Sequence, residues 1–227
     1  MQAYLGALRR AALFRGMEDE QILTAVDCLG GQLRRYQKGA AVLRAGEPAT
    51  HLGVVLTGQV QVSRARADGQ RVVMGSMGPG GLFAESYACA RAESLPVTVT
   101  AEAEAAVLLL DCRRISSPCS AACGCHARLI ANLLAVLAEK NLHLAGKLNH
   151  LSGRTIRERL LAYLEELSDR TGRRTVTVPF DRQALADYLC VDRSALSRTI
   201  GALQREGVLT ADRARFTLHN ISPSGGA

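Results

Sequence analysis

No stretch of this chain approaches the roughly eighteen uncharged apolar residues that a membrane-spanning helix requires, which excludes a helical membrane protein. The segment Met1 to Arg15 is broken by Arg9, Arg10 and Arg15 and has no sustained apolar core, so no secretory signal is expected and the expected location is the cytoplasm. Enzyme signatures are missing as well. There is no P-loop, no dinucleotide fingerprint and no nucleophile paired with a base at credible spacing, and the five histidines (His51, His126, His143, His150, His219) fall into no metal motif. An enzyme is therefore not expected.

What is there points to a polyanion. Lys and Arg number 28 against 21 Asp and Glu, a net charge of +7. The excess is spread along the chain, since residues 151–227 hold twelve arginines against nine acidic residues, so charge alone locates no site. At 227 residues the chain exceeds the commonest single-domain size, and two compact units joined by a helix suit it.

The most informative stretch runs from Val178 to Leu218. Asp181 is an N-cap for a short helix whose Leu185, Ala186 and Leu189 share one side. Cys190 and Val191 break that period. Asp192 then caps a second helix reaching about Glu206, with Ala195, Leu196, Ile200 and Leu203 at helical spacing. Its opposite face carries Arg193, Ser194, Ser197 and Arg198, donors that reach base edges and phosphates from a helix lying in a major groove. Gly207 ends the helix, and Val208 to Leu218, with Asp212 near its centre, reads as a hairpin.

Helix, tight turn, helix and hairpin in this order resemble the winged helix-turn-helix of the CRP/FNR family of bacterial transcription regulators. The resemblance implies double-stranded DNA as partner and places the DNA contacts on Arg193, Ser194, Ser197 and Arg198. It adds RNA polymerase as a further candidate partner. Ser194 departs from the better-known members, where a glutamate reads cytosine, so their half-site sequence does not transfer.

Upstream, residues 18–28 read as a helix with Ile22, Leu23 and Val26 on one side and acidic residues at its start. From Gly39 to Leu110, β-rich runs (Ala41 to Arg44, Leu52 to Leu56, Val60 to Ser63, Val72 to Met74, Val97 to Leu110) alternate with Gly46, Gly58, Asp68-Gly69 and Gly78-Pro79-Gly80-Gly81. Such spacing predicts an antiparallel barrel or roll. It resembles the family's cyclic-nucleotide-binding β-roll. There, a Gly-rich turn is followed by a Glu for the ribose and then by an Arg and a Ser for the cyclic phosphate. Gly80 to Glu85 supplies the turn and the Glu, but Leu95 and Pro96 stand at the phosphate positions. Leu brings no charge and Pro neither hydroxyl nor amide proton, so cyclic AMP is not expected as the effector. Glu85 is either an effector contact or a carboxylate satisfied within a packed β-core.

Residues from about Ser120 to Leu151 read as one long helix. Ile130, Leu134, Leu137, Asn141, Leu144, Leu148 and Leu151 follow alternating spacings of four and three, the seam of a coiled coil, which asks for an identical partner. Asn141, polar within that seam, would fix a parallel, in-register pair; by the family resemblance it is also a candidate effector contact. Cys112, Cys119, Cys123 and Cys125 lie where the last strand passes into this helix. In a reducing cytoplasm they are candidate ligands for an iron-sulfur cluster or zinc, with Cys89 as a substitute for Cys125, or else a thiol-disulfide switch or small buried hydrophobes. Their spacing matches no standard signature. The family's cluster uses cysteines near the N-terminus, and here none precedes Cys28.

The expected architecture is therefore α+β: a cupin-like antiparallel β-roll acting as sensor (1–118), a dimerisation helix (119–151) and a winged helix-turn-helix (152–227).

Overall fold

The computed structural model describes residues 1–66, 68–115 and 125–219. Contacts divide the chain between Glu139 and Lys140, within the long helix.

The first unit opens with two short helices, α1 (Leu5–Arg10) and α2 (Asp19–Cys28), the latter closed at its start by a reciprocal capping box between Glu18 and Gln21. Eight strands follow: β1 (Gln32–Tyr36), β2 (Ala41–Leu43), β3 (His51–Thr57), β4 (Val60–Ala65), β5 (Arg71–Met77), β6 (Leu82–Phe83), β7 (Thr98–Ala101) and β8 (Ala105–Asp111). They form two antiparallel sheets, ordered β1-β8-β3-β6 and β2-β7-β4-β5. The short helix α3 (Glu85–Cys89) interrupts them between β6 and β7. The run Val97 to Leu110 is two strands rather than one, because the chain bends at residues 102–104, where Glu104 is exposed and the half-buried Glu102 accepts from Gln61, before re-entering the core.

Between the sheets Val55, Val60, Phe83, Val99 and Val107 pack into one apolar cluster. Gly53 on β3 is obligatory here: a Cβ at that position would sit 2.0 Å from the Phe83 ring. A second apolar cluster lies on the other side of β3 and β8, where Leu8, Leu13, Phe14, Ile22 and Leu29 from the N-terminal helices meet Leu52, Leu108 and Leu110.

The long helix α4 spans Cys125–Ser152. In the first unit its Leu129 and Leu133 join that second cluster, and Asn132 donates from Nδ2 to the carbonyls of Leu13 and Arg15, both at 2.9 Å.

In the second unit the end of α4 is anchored through His150, which is only 2 % exposed. Its Nδ1 shares a hydrogen bond with the Tyr188 hydroxyl at 3.1 Å and its Nε2 lies 2.7 Å from a Glu166 carboxylate oxygen. Tyr163, Tyr188 and Phe180 stack beside it with ring centres 5.1–6.3 Å apart. Helix α5 (Ile156–Thr171) begins with a capping box between Thr155 and Glu158. Then come β9 (Thr175–Thr177), α6 (Arg182–Tyr188), α7 (Arg193–Arg205), β10 (Leu209–Asp212) and β11 (Arg215–Leu218), the strands forming one antiparallel sheet ordered β10-β11-β9. Leu160, Leu164, Leu185, Leu189, Leu196, Ile200, Leu203 and Phe216 make the core. Each such side chain, fully buried, contributes about 1.5–3 kcal/mol.

Candidate nucleic-acid interface and sensor site

The helix pair of the second unit is built by its caps. Asp181 accepts from the Ala184 amide at 2.8 Å and opens α6; Asp192 accepts from the Ala195 amide at 2.9 Å and opens α7. Between them the chain turns sharply at Cys190, an exposed residue held at φ +53°, with the Val191 amide returning to the Ala186 carbonyl. Gly207, at φ +71°, takes the left-handed conformation that ends α7.

Leu196, Ile200 and Leu203 turn α7 into the core, which leaves Arg193, Ser194, Ser197 and Arg198 together on the exposed face. Two guanidinium groups flanking two hydroxyls, one turn from a helix N-terminus, form a surface able to contact phosphates and base edges. The Ser194 hydroxyl donates to Asp192 at 2.5 Å. That bond and the Ala195 amide hold the Asp192 carboxyl below the usual carboxylate range. With its proton committed, Ser194 offers a base only acceptor lone pairs. At the β10–β11 turn, Arg213 (φ +50°) and Arg215 are exposed. The sequence reading named the hairpin but neither of these arginines; a basic pair at a predicted hairpin tip was the available signal.

The seam positions divide by exposure. Leu134, Leu144 and Leu148 are 62 %, 59 % and 69 % exposed, and Ile130 and Asn141 also face solvent, while Leu137 and Leu151 are half-buried.

In the first unit Glu85 is buried and accepts from the Ser86 hydroxyl at 3.1 Å. Leu95 is buried, bonded through its backbone to Gly46 and Glu47, and Pro96 follows it. The nearest arginine in sequence, Arg91, is exposed and borders a pocket beside Cys89. With Phe83 and four valines filling the space between the sheets, these residues do not fit a cyclic phosphate, whose charge needs a cation and donors. Of the cysteines, Cys119 and Cys123 lie outside the described residues. The Cys125 thiol donates to the Gln21 carbonyl at 3.7 Å. Cys112 instead meets Cys89, sulfur to sulfur at 3.2 Å. Among the described residues no three His, Cys, Asp or Glu side chains gather as a metal ion would require.

Two family models match: residues 33–117 fit one described as a cyclic nucleotide-binding domain, and residues 158–222 one described as a Crp-like helix-turn-helix domain. The chain is 28% identical over 199 residues to the probable transcriptional regulator flp of Lacticaseibacillus casei, covering 87% of this chain and 86% of that one. It is 26% identical over 195 residues to the transcriptional activator protein FnrL of Cereibacter sphaeroides, covering 82% and 75%. The fold is that of the catabolite activator protein of Thermus thermophilus, with a TM-score of 0.55 and 23% identity over 92% of this chain and 94% of that one. With a sensor-type β-roll, a long helix and a helix-turn-helix in this order, and both family models matched in register with them, the chain belongs to the CRP/FNR family of transcription regulators.

Proposed function

We propose that two copies of this chain, joined along α4, bind double-stranded DNA at a two-fold symmetric site in the cytoplasm and regulate transcription there. A thiol-based signal acting on the first unit sets the affinity. The observation that carries the DNA reading is the exposed quartet Arg193, Ser194, Ser197 and Arg198 on a helix whose other face is locked into a core. Leu134, Leu144 and Leu148 support the pairing, because a regular stripe of exposed leucines costs solubility unless another apolar stripe covers it. Arg213 and Arg215 would add phosphate contacts from the hairpin. RNA polymerase is the partner an activating mode would require.

Cyclic AMP does not suit the residues at Leu95 and Pro96, so the signal is either a different small-molecule effector in the β-roll or chemistry at the cysteines, and the meeting of Cys89 with Cys112 favours the cysteines. Ligation of iron-sulfur or zinc through Cys112, Cys119, Cys123 and Cys125 is one form of it, which iron and zinc analysis of anaerobically purified protein decides. The reading as a whole is tested by sedimentation and gel shift with genomic fragments. Wild-type protein is expected to sediment as a dimer and shift a small set of fragments, and Leu134→Glu with Leu148→Glu to sediment as a monomer that shifts none. A wild-type monomer, or a dimer that shifts every fragment alike, contradicts it.

A further inference from the structure

Cys89 closes α3, and Cys112 opens the 3-10 turn Cys112–Arg114 that follows β8. They are 23 residues apart in sequence, yet their sulfurs lie 3.2 Å from each other. A disulfide needs about 2.05 Å, so a shift of roughly 1 Å joins them. The pair sits in the wall of a pocket of 250 Å³ otherwise lined by Ala88, Ile115, Leu133 and the seam residues Ile130, Leu134 and Leu137, with Arg91 and Arg113 at its edge.

We propose that Cys89 and Cys112 form a dithiol that small hydroperoxides convert to an intramolecular disulfide. The Cys89 thiolate attacks one peroxide oxygen; the S–O bond forms, the O–O bond breaks, and the departing hydroxide takes up the proton Cys89 released, leaving Cys89 as a sulfenic acid and one water. The Cys112 sulfur then displaces the sulfenic hydroxyl, which leaves with the Cys112 proton as a second water. Two thiols are oxidised by two electrons and hydrogen peroxide is reduced to two waters; with an alkyl hydroperoxide the departing alkoxide takes the proton instead, giving one alcohol and one water.

The two sulfurs are not equivalent, and their difference sets the order of events. The hydrogen bond with Cys112 holds the Cys89 thiol below the usual thiol range. The same bond, together with burial and the nearby Asp111 and Glu85 carboxylates, pushes Cys112 up. Cys89 is also the more exposed of the pair, Cys112 being buried. The size of the pocket favours hydrogen peroxide or a short alkyl hydroperoxide over a bulky disulfide such as oxidised glutathione.

The proposal rests on the thiol-sensor reading and names its pair and its oxidant. Its consequence for DNA would run through Ile130, Leu134 and Leu137, which share the pocket wall and belong to the seam.

The test is disulfide mapping of the full chain after stoichiometric hydrogen peroxide, which needs neither DNA nor a dimer, so its failure leaves the DNA-binding reading standing. Wild-type protein is expected to lose the mass of two hydrogens, reversibly with reductant, and to yield a cross-linked peptide holding Cys89 and Cys112. Cys112→Ser is expected to retain a sulfenic acid at Cys89 that dimedone captures, and Cys89→Ser to give neither product at Cys112. Glutathione disulfide is expected to react far more slowly than peroxide. Cross-links confined to other cysteines while Cys89 and Cys112 stay alkylatable overturn the proposal, as does dimedone capture at Cys112 in Cys89→Ser. The wild-type map stands whether or not the variants fold.

Discussion

Gly53→Ala tests whether the β-roll is filled. The added Cβ would lie 2.0, 2.3 and 2.5 Å from three atoms of the Phe83 ring. Phe83 cannot simply withdraw, because it is 2 % exposed and sits among Val55, Val60, Val99 and Val107. Overpacking of this kind costs about 1–3 kcal/mol, and backbone fixed in two sheets places the expectation at the upper end. For a unit of this size, each kcal/mol lowers the melting temperature by roughly 3–4 °C, so a loss of about 7–12 °C is expected in a calorimetric or circular-dichroism melt. Phe83→Leu alone loses buried area and is also destabilising. The double variant is expected to be more stable than the sum of the single losses by about 0.5–3 kcal/mol, because the smaller side chain relieves the clash. A Gly53→Ala protein that melts with wild type, or a strictly additive double variant, would mean that Phe83 does not pack on Gly53. The space between the sheets would then not be filled by Phe83 and its valine neighbours.

Arg193→Ala and Arg198→Ala are each expected to weaken binding to a specific fragment by about 1–3 kcal/mol, roughly 5- to 150-fold, with sedimentation unchanged; a wild-type gel shift from both would mean that α7 is not the reading helix. Cyclic AMP at millimolar concentration is expected to leave the melting temperature and DNA affinity where they were, and a ligand-dependent rise in either would refute the assignment of Leu95 and Pro96. Cys190→Gly is expected to raise stability by about 0–1.6 kcal/mol, since relief of a left-handed residue worth about 1–2 kcal/mol offsets the extra unfolded-state freedom of glycine, about 0.4–1 kcal/mol; a loss measured by urea unfolding would show that the thiol makes a stabilising contact.

The DNA-reading helices were legible because their signals are local: Asp181 and Asp192 cap them in sequence and in structure alike, and Leu196, Ile200 and Leu203 repeat at helical spacing. The long helix α4 was legible for the same reason. Strand β1, Gln32–Tyr36, was not, because an edge strand with four exposed residues shows no apolar alternation. Strand β9, three residues long, gives too little pattern to read. The hydrogen bond between Ser194 and Asp192 needed the cap geometry to be seen. The meeting of Cys89 with Cys112 is a tertiary fact: it arises because α3 packs against the turn after β8, and no spacing rule links positions brought together that way. Sequence reasoning had set Cys89 beside the cysteine cluster as a stand-in for Cys125, whereas the fold pairs it with Cys112 and leaves Cys125 bonded to Gln21.

Selection from a randomised DNA pool measures the central claim most directly. The account predicts that wild-type protein enriches an inverted repeat whose half-sites lie one helical turn apart, about 10–10.5 base pairs centre to centre, or a multiple of that. It predicts also that Arg198→Ala protein relaxes the preference at symmetric positions in both halves. Enrichment of no motif, or of a single unpaired half-site, would contradict it.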